Sequence, residues 1–576
     1  MEYWWSFAAE TWTLIIVLIS LILLYGYWPY GFFKRLGVPG PKPVPFLGTL
    51  LEYRKGIHDF DMECFQKYGK IWGVYDARRP VLCIMDTDII KTILIKECYS
   101  LFTNRRNFPL SGPLYDALTN AKDEDWRRIR SVLSPSFTSG RLKEMFGIIK
   151  SHSSSLIKNL QRTSEREEPT DIREFFGAYS MDVVTSTAFS VDIDSLNNPK
   201  DPFVSNVKKL LKFDFLHPLF ITIVLFPFTR PVLETMNVSI FPASVTDFFY
   251  ASLQKIKSER LAQEPVGRVD FMQLMIDSQK SEKDKLNNQE TNKGLSDHEI
   301  LSQSMVFIFA GYETTSRTLS FLFYNLASNP ETLKKLQEEI DATFPNQAAA
   351  DYDTLMNMDY LDAALNESLR LFPAAVRLER VCKDRIEIKG LTIPKDTVVM
   401  IPTYALHRNP EYWTDPDTFN PERFTQENKQ SIEPCAYMPF GLGPRNCIGM
   451  RFALVIMKLA VVEILQRFDI SLSEETKVPL ELIKTGILAP KDPIKLNFKI
   501  RRDVELYGYW PYGFFKRLGV PGPKPVPFFG TMLEYRKGIH DFDMECFQKY
   551  GKIWGVYEAR QPVLCILDSD IIKTVM

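Results

Sequence analysis

"FGLGPRNCIG", residues Phe440 to Gly449, sets one cysteine among three glycines, directly ahead of "MRFALVIMKLAVVEILQRF", whose apolar spacing is that of a buried helix. Cys447 therefore stands at a helix N-terminus. Free backbone N–H groups and the positive end of the helix dipole favour thiolate over thiol there, the form a metal-ligating sulfur needs. Glycines at 441, 443 and 449 let the backbone approach a flat ligand and turn N–H groups toward the sulfur. A lone cysteine in apolar surroundings is more often an inert buried residue. The glycine-rich loop is what argues for a ligand.

Upstream, "ESLR" places Glu367 and Arg370 three residues apart, side by side on one helix face. Alone, such a pair reads as a surface salt bridge. "SDHE" (Ser296 to Glu299) is a capping box, and apolar periodicity runs from it to Asn329-Pro330, predicting a helix of about thirty residues ended by proline. Near its middle, in "AGYETT" (Ala310 to Thr315), Gly311 weakens the ladder by ~1 kcal/mol and the Thr314 hydroxyl can take a backbone carbonyl. Together they predict a notch; a plain packing kink is the other reading. "KIWGVY", "PVLCIM", "IEIKGLTIP", "TVVMIPTYAL" and "PIKLNFKI" read as strands, and Asn287 to Gly294 as a loop. The fold class is mainly α with a small β part.

These motifs occur in the order found in the cytochrome P-450 superfamily, which the chain resembles over about residues 25 to 503. Phe440, Gly443, Arg445, Cys447 and Gly449 match its haem-ligand signature FxxGxRxCxG, and Glu367 with Arg370 its ExxR element. Arg423 in "PERF" resembles the third member of the structural Glu-Arg-Arg cluster. "FGAYSMDVVTSTAF", "PSFTSG" and "AGYETTS" are similar to subfamily 3A, the mammalian drug- and steroid-oxidising enzymes. The resemblance implies the P-450 fold behind an N-terminal transmembrane helix, and a monooxygenase using haem b with Cys447 as iron ligand and Phe440 beside it.

By the same resemblance Arg105, Trp126, Arg130, Arg380 and Arg445 meet the haem propionates, while Arg127 and Arg128 are left on a solvated helix face. Thr314, assisted by Glu313, is implied to relay a proton. Phe108, Phe213, Phe215, Phe220, Phe241 and Phe309 would roof an apolar substrate cavity, with Ala310, Ala374, Ala375 and Leu378 near the iron. Phenylalanines so irregularly spaced are otherwise core or membrane-facing residues. No GxGxxG follows a strand, so electrons are expected from a separate protein; the resemblance implies that it is NADPH-cytochrome reductase, with cytochrome b5 as a further donor.

Lys plus Arg (70) nearly cancels Asp plus Glu (71), so no nucleic-acid groove is suggested and small molecules or proteins are the expected partners, lipophilic ones by the resemblance. Eight cysteines without a CxxC, and six histidines without an HxxxH pair, place the bulk of the chain in a reducing compartment and argue against a histidine metal site. From Thr11 to Phe33 no residue is charged, and 23 helical residues span about 34 Å, enough for the lipid bilayer. Flanking aromatics, with Lys34 and Arg35 behind, orient a single pass with the catalytic body toward the cytosol, as at the endoplasmic reticulum membrane.

"YGYWPYGFFKRLGVPGPKPVPF" occurs twice, at Tyr25 and at Tyr507. Tyr25–Leu94 and Tyr507–Met576 differ at eight conservative positions and agree at 62. Two copies almost a chain apart exclude a solenoid. The expected organisation is a membrane anchor over 1–28, a catalytic domain over 29–503 and a partial repeat over 504–576 that is no independent domain. Two alternatives stay open: a haem-thiolate isomerase of lipid peroxides, in which Thr314 would have no task, and an inactive fusion product.

Overall fold

The computed structural model describes residues 9–106, 110–211, 218–236, 238–262, 270–285, 294–484, 487–501, 510–526, 529–559 and 561–575. Two compact units divide the chain. One comprises Met1–Thr343, Ala349–Leu465 and Ile470–Phe498; the other Phe344–Ala348, Gln466–Asp469 and Lys499–Met576.

The larger unit begins with the helix Ala9–Tyr27. Among the described residues Thr11–Arg35 is the one stretch long and apolar enough to cross a membrane. All of its leucines and isoleucines but Ile15 face outward, so packing within the chain does not account for its composition. Next comes the hairpin Ile71–Asp76/Arg79–Ile84, in register from Ile71↔Ile84 to Asp76↔Arg79. Its second strand pairs in parallel with Val398–Ile401, which pairs antiparallel with Leu378–Val381. The strand "VVMI" is buried on both faces, as its unbroken apolar run requires. "IEIKGLTIP" folds as the hairpin Ile386–Ile388/Leu391–Ile393, and the strand Lys495–Ile500 pairs with Thr170–Asp171. "TVVMIPTYAL" is strand only to Ile401; beyond Pro402 it turns into the short helix Thr403–Leu406.

The long helix runs Asp297–Ser328 behind the expected capping box: the Ser296 hydroxyl accepts from Glu299 N–H, and the Glu299 carboxylate accepts from Ser296 N–H at 2.7 Å. It packs against Ile172–Phe189, a helix buried almost all round, and against Asp359–Leu371 and Met450–Leu465. The expected loop Asn287–Gly294 lies outside the described residues except for Gly294.

The smaller unit holds the hairpin Ile553–Glu558/Gln561–Ile566, in the register of the first copy from Ile553↔Ile566 to Glu558↔Gln561. The first copy's local bonds recur in it. Phe515 N–H donates to the Tyr557 hydroxyl at 3.2 Å, as Phe33 does to Tyr75 at 3.3 Å. Gly530 N–H reaches the Tyr512 hydroxyl at 2.9 Å, as Gly48 does Tyr30 at 3.0 Å. Among the described residues the shared sequence thus reproduces the same hairpin register and the same local bonds twice.

Candidate active site

Cys447 N–H donates to the Phe440 carbonyl at 2.8 Å, closing the loop "FGLGPRNC", and the helix Met450–Leu465 follows. Gly443 has φ +75°, and a Cβ on it would lie 2.0 Å from the Leu94 carbonyl oxygen, so only glycine fits. The Cys447 side chain is exposed, yet enough protein surrounds it to push its thiol up. Its sulfur therefore lines an internal recess. The Gly449 N–H and the charges of Arg130 and Arg105 pull the other way, but burial wins. The helix terminus thus acts in the expected direction but is outweighed by burial, and a metal cation on the sulfur would favour the thiolate further.

Around the loop the expected cationic side chains converge. Arg130, on the helix Asp123–Leu133, donates to the Asn446 carbonyl at 2.7 Å and to its side-chain oxygen at 2.9 Å. Arg445 reaches the Ala121 carbonyl at 2.6 Å and the Thr103 carbonyl, with its guanidinium 5.0 Å from the Trp126 ring centroid. Arg105 donates to the Arg445 carbonyl at 3.4 Å. Burial and mutual repulsion hold Arg445 down to about 9 and Arg380 down to about 10; burial also lowers Arg105. Arg380 Nε is buried without a hydrogen-bond partner. Three crowded cations with an orphan donor are costly unless anions join them. Haem, which offers an iron for the sulfur and two propionates for the arginines, fits these residues.

On the long helix, Thr314 Oγ1 donates to the Ala310 carbonyl at 2.5 Å. Ala310 is exposed in mid-helix on an element otherwise largely buried, so these two residues, one turn apart, also border open space. The helix is α throughout, and the notch is one of surface only. Gly311 is a packing glycine: a Cβ there would lie 2.4 Å from Val184, and Ser180 donates to its carbonyl at 2.8 Å. Glu313 faces another way, its buried carboxylate paired with Arg173 at 3.0 Å and with Arg317. The structure does not bring it to the Thr314 hydroxyl.

Glu367, Arg370 and Arg423 do assemble. Arg370 is doubly bonded to Glu367 at 2.7 and 2.8 Å, and Arg423 Nε meets the same carboxylate at 3.3 Å. Arg128 departs from the solvated-face reading, since it grips Glu299 and donates to the Gly294 carbonyl at 3.1 Å. Arg127 stays near the surface with Glu124 at 2.7 Å. Of the expected substrate residues, Ala375 is exposed, and Ala374, Leu378, Phe241 and Phe309 are half-buried. Phe108, Phe213 and Phe215, and the side chain of Phe220, lie outside the described residues. A polar cavity of about 540 Å³ that includes Asp116, Arg230 and Glu234 shares no lining residue with the cysteine loop or Thr314.

The cytochrome P-450 family model matches residues 38–498 and again 520–576. The chain belongs to the cytochrome P-450 family. It is similar to cytochrome P-450 3A27 of Oncorhynchus mykiss, 65% identical over 497 residues, 86% of this chain and 96% of that protein. Cytochrome P-450 3A9 of Rattus norvegicus is 55% identical over 503 residues, 87% and 99% of the two chains. This cytochrome P-450 is a haem-thiolate monooxygenase resembling subfamily 3A.

Sequence reasoning missed His407. It carries no motif, yet its imidazole sits between Arg370 and Met438.

Proposed function

We propose that the catalytic domain, residues 29–503, inserts one oxygen atom into bulky lipophilic substrates of the steroid, drug and xenobiotic kind. It does so with electrons from NADPH delivered by NADPH-cytochrome reductase, with cytochrome b5 as a second donor. Residues 1–28 anchor it by a single pass in the endoplasmic reticulum membrane, catalytic body toward the cytosol; residues 504–576 are a partial repeat without a catalytic task. Bound haem supplies the dioxygen chemistry. Cys447 holds the iron, with Phe440 beside it. Arg105, Arg130, Arg380 and Arg445, with Trp126, would hold the propionates, whose oxygens would accept from the orphan donor of Arg380.

Thr314 Oγ1 carries a proton at the edge of the recess, lent to the Ala310 carbonyl and free to turn inward. Glu313, held by Arg173 and Arg317 away from that hydroxyl, would assist only by leaving those partners. Ala310, Ala374, Ala375 and Leu378 leave room near the reacting position, under the phenylalanine roof of 108, 213, 215, 220, 241 and 309. Small apolar walls admit bulky lipophiles.

The observation that carries this reading is the Ala310–Thr314 face, a hydroxyl one turn from an exposed small residue on a buried helix. An isomerase of lipid peroxides has no use for that hydroxyl. The haem-loaded full chain, reconstituted with reductase, NADPH and a steroid, should yield a hydroxylated product. Turnover of lipid hydroperoxides without NADPH, and none of the steroid with it, would select the isomerase instead.

A further inference from the structure

His407 follows the short helix Thr403–Leu406 and is fully buried. Its Nδ1 lies 3.2 Å from the Arg370 carbonyl oxygen and its Nε2 lies 3.0 Å from the Met438 amide nitrogen. A carbonyl can only accept and an amide N–H can only donate, so Nδ1 carries the proton and Nε2 is bare. The partners themselves dictate a neutral ring. Burial agrees, holding the imidazole down to about 3, with Arg370 and Arg408 acting in the same direction. Arg370 answers with a second bond, Nη1 to the His407 carbonyl at 2.8 Å. The two residues are thus tied twice, once in each direction.

What hangs from the other ring nitrogen is the start of the cysteine loop. The Met438 carbonyl accepts from Gly441 N–H at 3.0 Å, and the Phe440 carbonyl accepts from Cys447 N–H at 2.8 Å. An unbroken run of backbone and imidazole groups therefore leads from the Glu367–Arg370 pair to the turn that carries Cys447. Every member before Gly441 is buried or half-buried, so water is a poor substitute for a lost partner. A second tie, the Tyr437 hydroxyl to Asn366, reaches neither Arg370 nor Met438, and Trp413 packs between the Arg370 guanidinium and the Tyr437 ring.

The geometry points to His407 as the positioning residue that transmits the Glu367–Arg370 geometry to the cysteine loop, by presenting one donor to the Arg370 carbonyl and one acceptor to the Met438 amide. It rests on the reading of Cys447 as haem ligand. Cys447→Ser removes the thiolate-type spectrum whether or not His407 matters, which keeps the two claims separable.

The test uses the full haem-loaded chain. His407→Leu keeps volume and removes both bonds; His407→Gln keeps one donor and one acceptor. The readouts are the share of the reduced carbonyl complex with a thiolate-type Soret band and the rate of haem transfer to apomyoglobin. Leu336→Ala, in the buried face of the helix Pro330–Thr343, serves as a control that lowers stability elsewhere. His407→Leu should lose most of the thiolate-type band and release haem at least about tenfold faster, tenfold being the change expected when one buried polar group loses its partner and here two do. His407→Gln should restore much of both. Leu336→Ala should lower the melting temperature and leave the band in place. A wild-type band and haem-release rate in His407→Leu would overturn the proposal. So would a His407→Gln variant as impaired as His407→Leu, or a Leu336→Ala variant that loses the band equally.

Discussion

The carboxylate of Glu367 and the guanidinium of Arg370 meet through two bonds, 2.7 and 2.8 Å long, with neither side chain reaching solvent. The same carboxylate accepts from Asn420 N–H at 2.9 Å and from Arg423. Arg370 spends its remaining donors on the carbonyls of His407, Pro416 and Thr418. Removing the acid strands one buried cation and weakens the hold on another. Glu367→Ala should cost about 3–5 kcal/mol, the range for breaking a buried pair. Haem content of the purified protein and its melting temperature report this; wild-type values for both would contradict the ascribed role.

Cys447→Ser replaces the sulfur and keeps the loop bond to Phe440, which the backbone makes. The protein should still fold, and its reduced carbonyl complex should lose the thiolate-type Soret band. A retained band would move the ligand to another cysteine. The other seven are all buried or half-buried.

The cysteine loop and the ExxR pair were legible because their partners are local: glycines within a few residues of Cys447, and Arg370 one helical turn after Glu367. Strands such as "PVLCIM" were legible from an apolar run bounded by turn signals. His407 was not, since its two partners lie 37 and 31 residues away and only the fold brings them together. Arg128 was misread for the same reason, its acid standing 171 residues on. Gly311 was noticed, but its cause lies in Val184 on another helix, which helix propensity cannot reveal. Side-chain chemistry shows in sequence when it is local and hides when tertiary contacts supply the partner.

Thr314→Ala deletes a hydroxyl whose one described bond is to its own helix, so the cost in stability should stay within about 1 kcal/mol. Haem content should be unchanged. Coupling should suffer, with more hydrogen peroxide and less hydroxylated product per NADPH consumed. Wild-type coupling would transfer the proton relay to another group, Glu313 being the nearest acid in sequence.

Asp182, in the helix Ile172–Phe189, accepts from Ser195 N–H at 2.9 and 3.1 Å and from its hydroxyl at 2.5 Å. Burial nevertheless pushes its carboxyl up to about 6, from an ordinary 3.8. Between those values the folded chain keeps a proton that the unfolded chain has lost. The stability contributed by this group is therefore fully present below about pH 3.8, falls as pH rises to about 6, and is constant above. At 1.36 kcal/mol per pH unit the full swing is about 3 kcal/mol. Asp182→Asn lacks that titration, so its unfolding free energy relative to the wild type should rise by about 2–3 kcal/mol between about pH 4 and pH 7. Parallel stability profiles for the two proteins would show that the carboxyl titrates normally.

The two copies of the repeated segment differ in what covers them. In the first, Val81, Leu82 and Cys83 pair with Val398, Val399 and Met400, and Leu82 is 1% exposed. In the second, among the described residues, Gln561–Ile566 pairs with Ile553–Glu558 alone, and Leu564 is 48% exposed. An uncharged strand with an open edge invites pairing with other chains. Backbone amides that lack a second neighbour also open more readily. Amide exchange should therefore be much faster over Val563–Ile566 than over Val81–Ile84, although the two sequences are the same. Removing 504–576 should leave haem content and activity unchanged and reduce concentration-dependent association in sedimentation. Equal protection of the two strands, or loss of haem on truncation, would mean that the second copy is a working part of the fold.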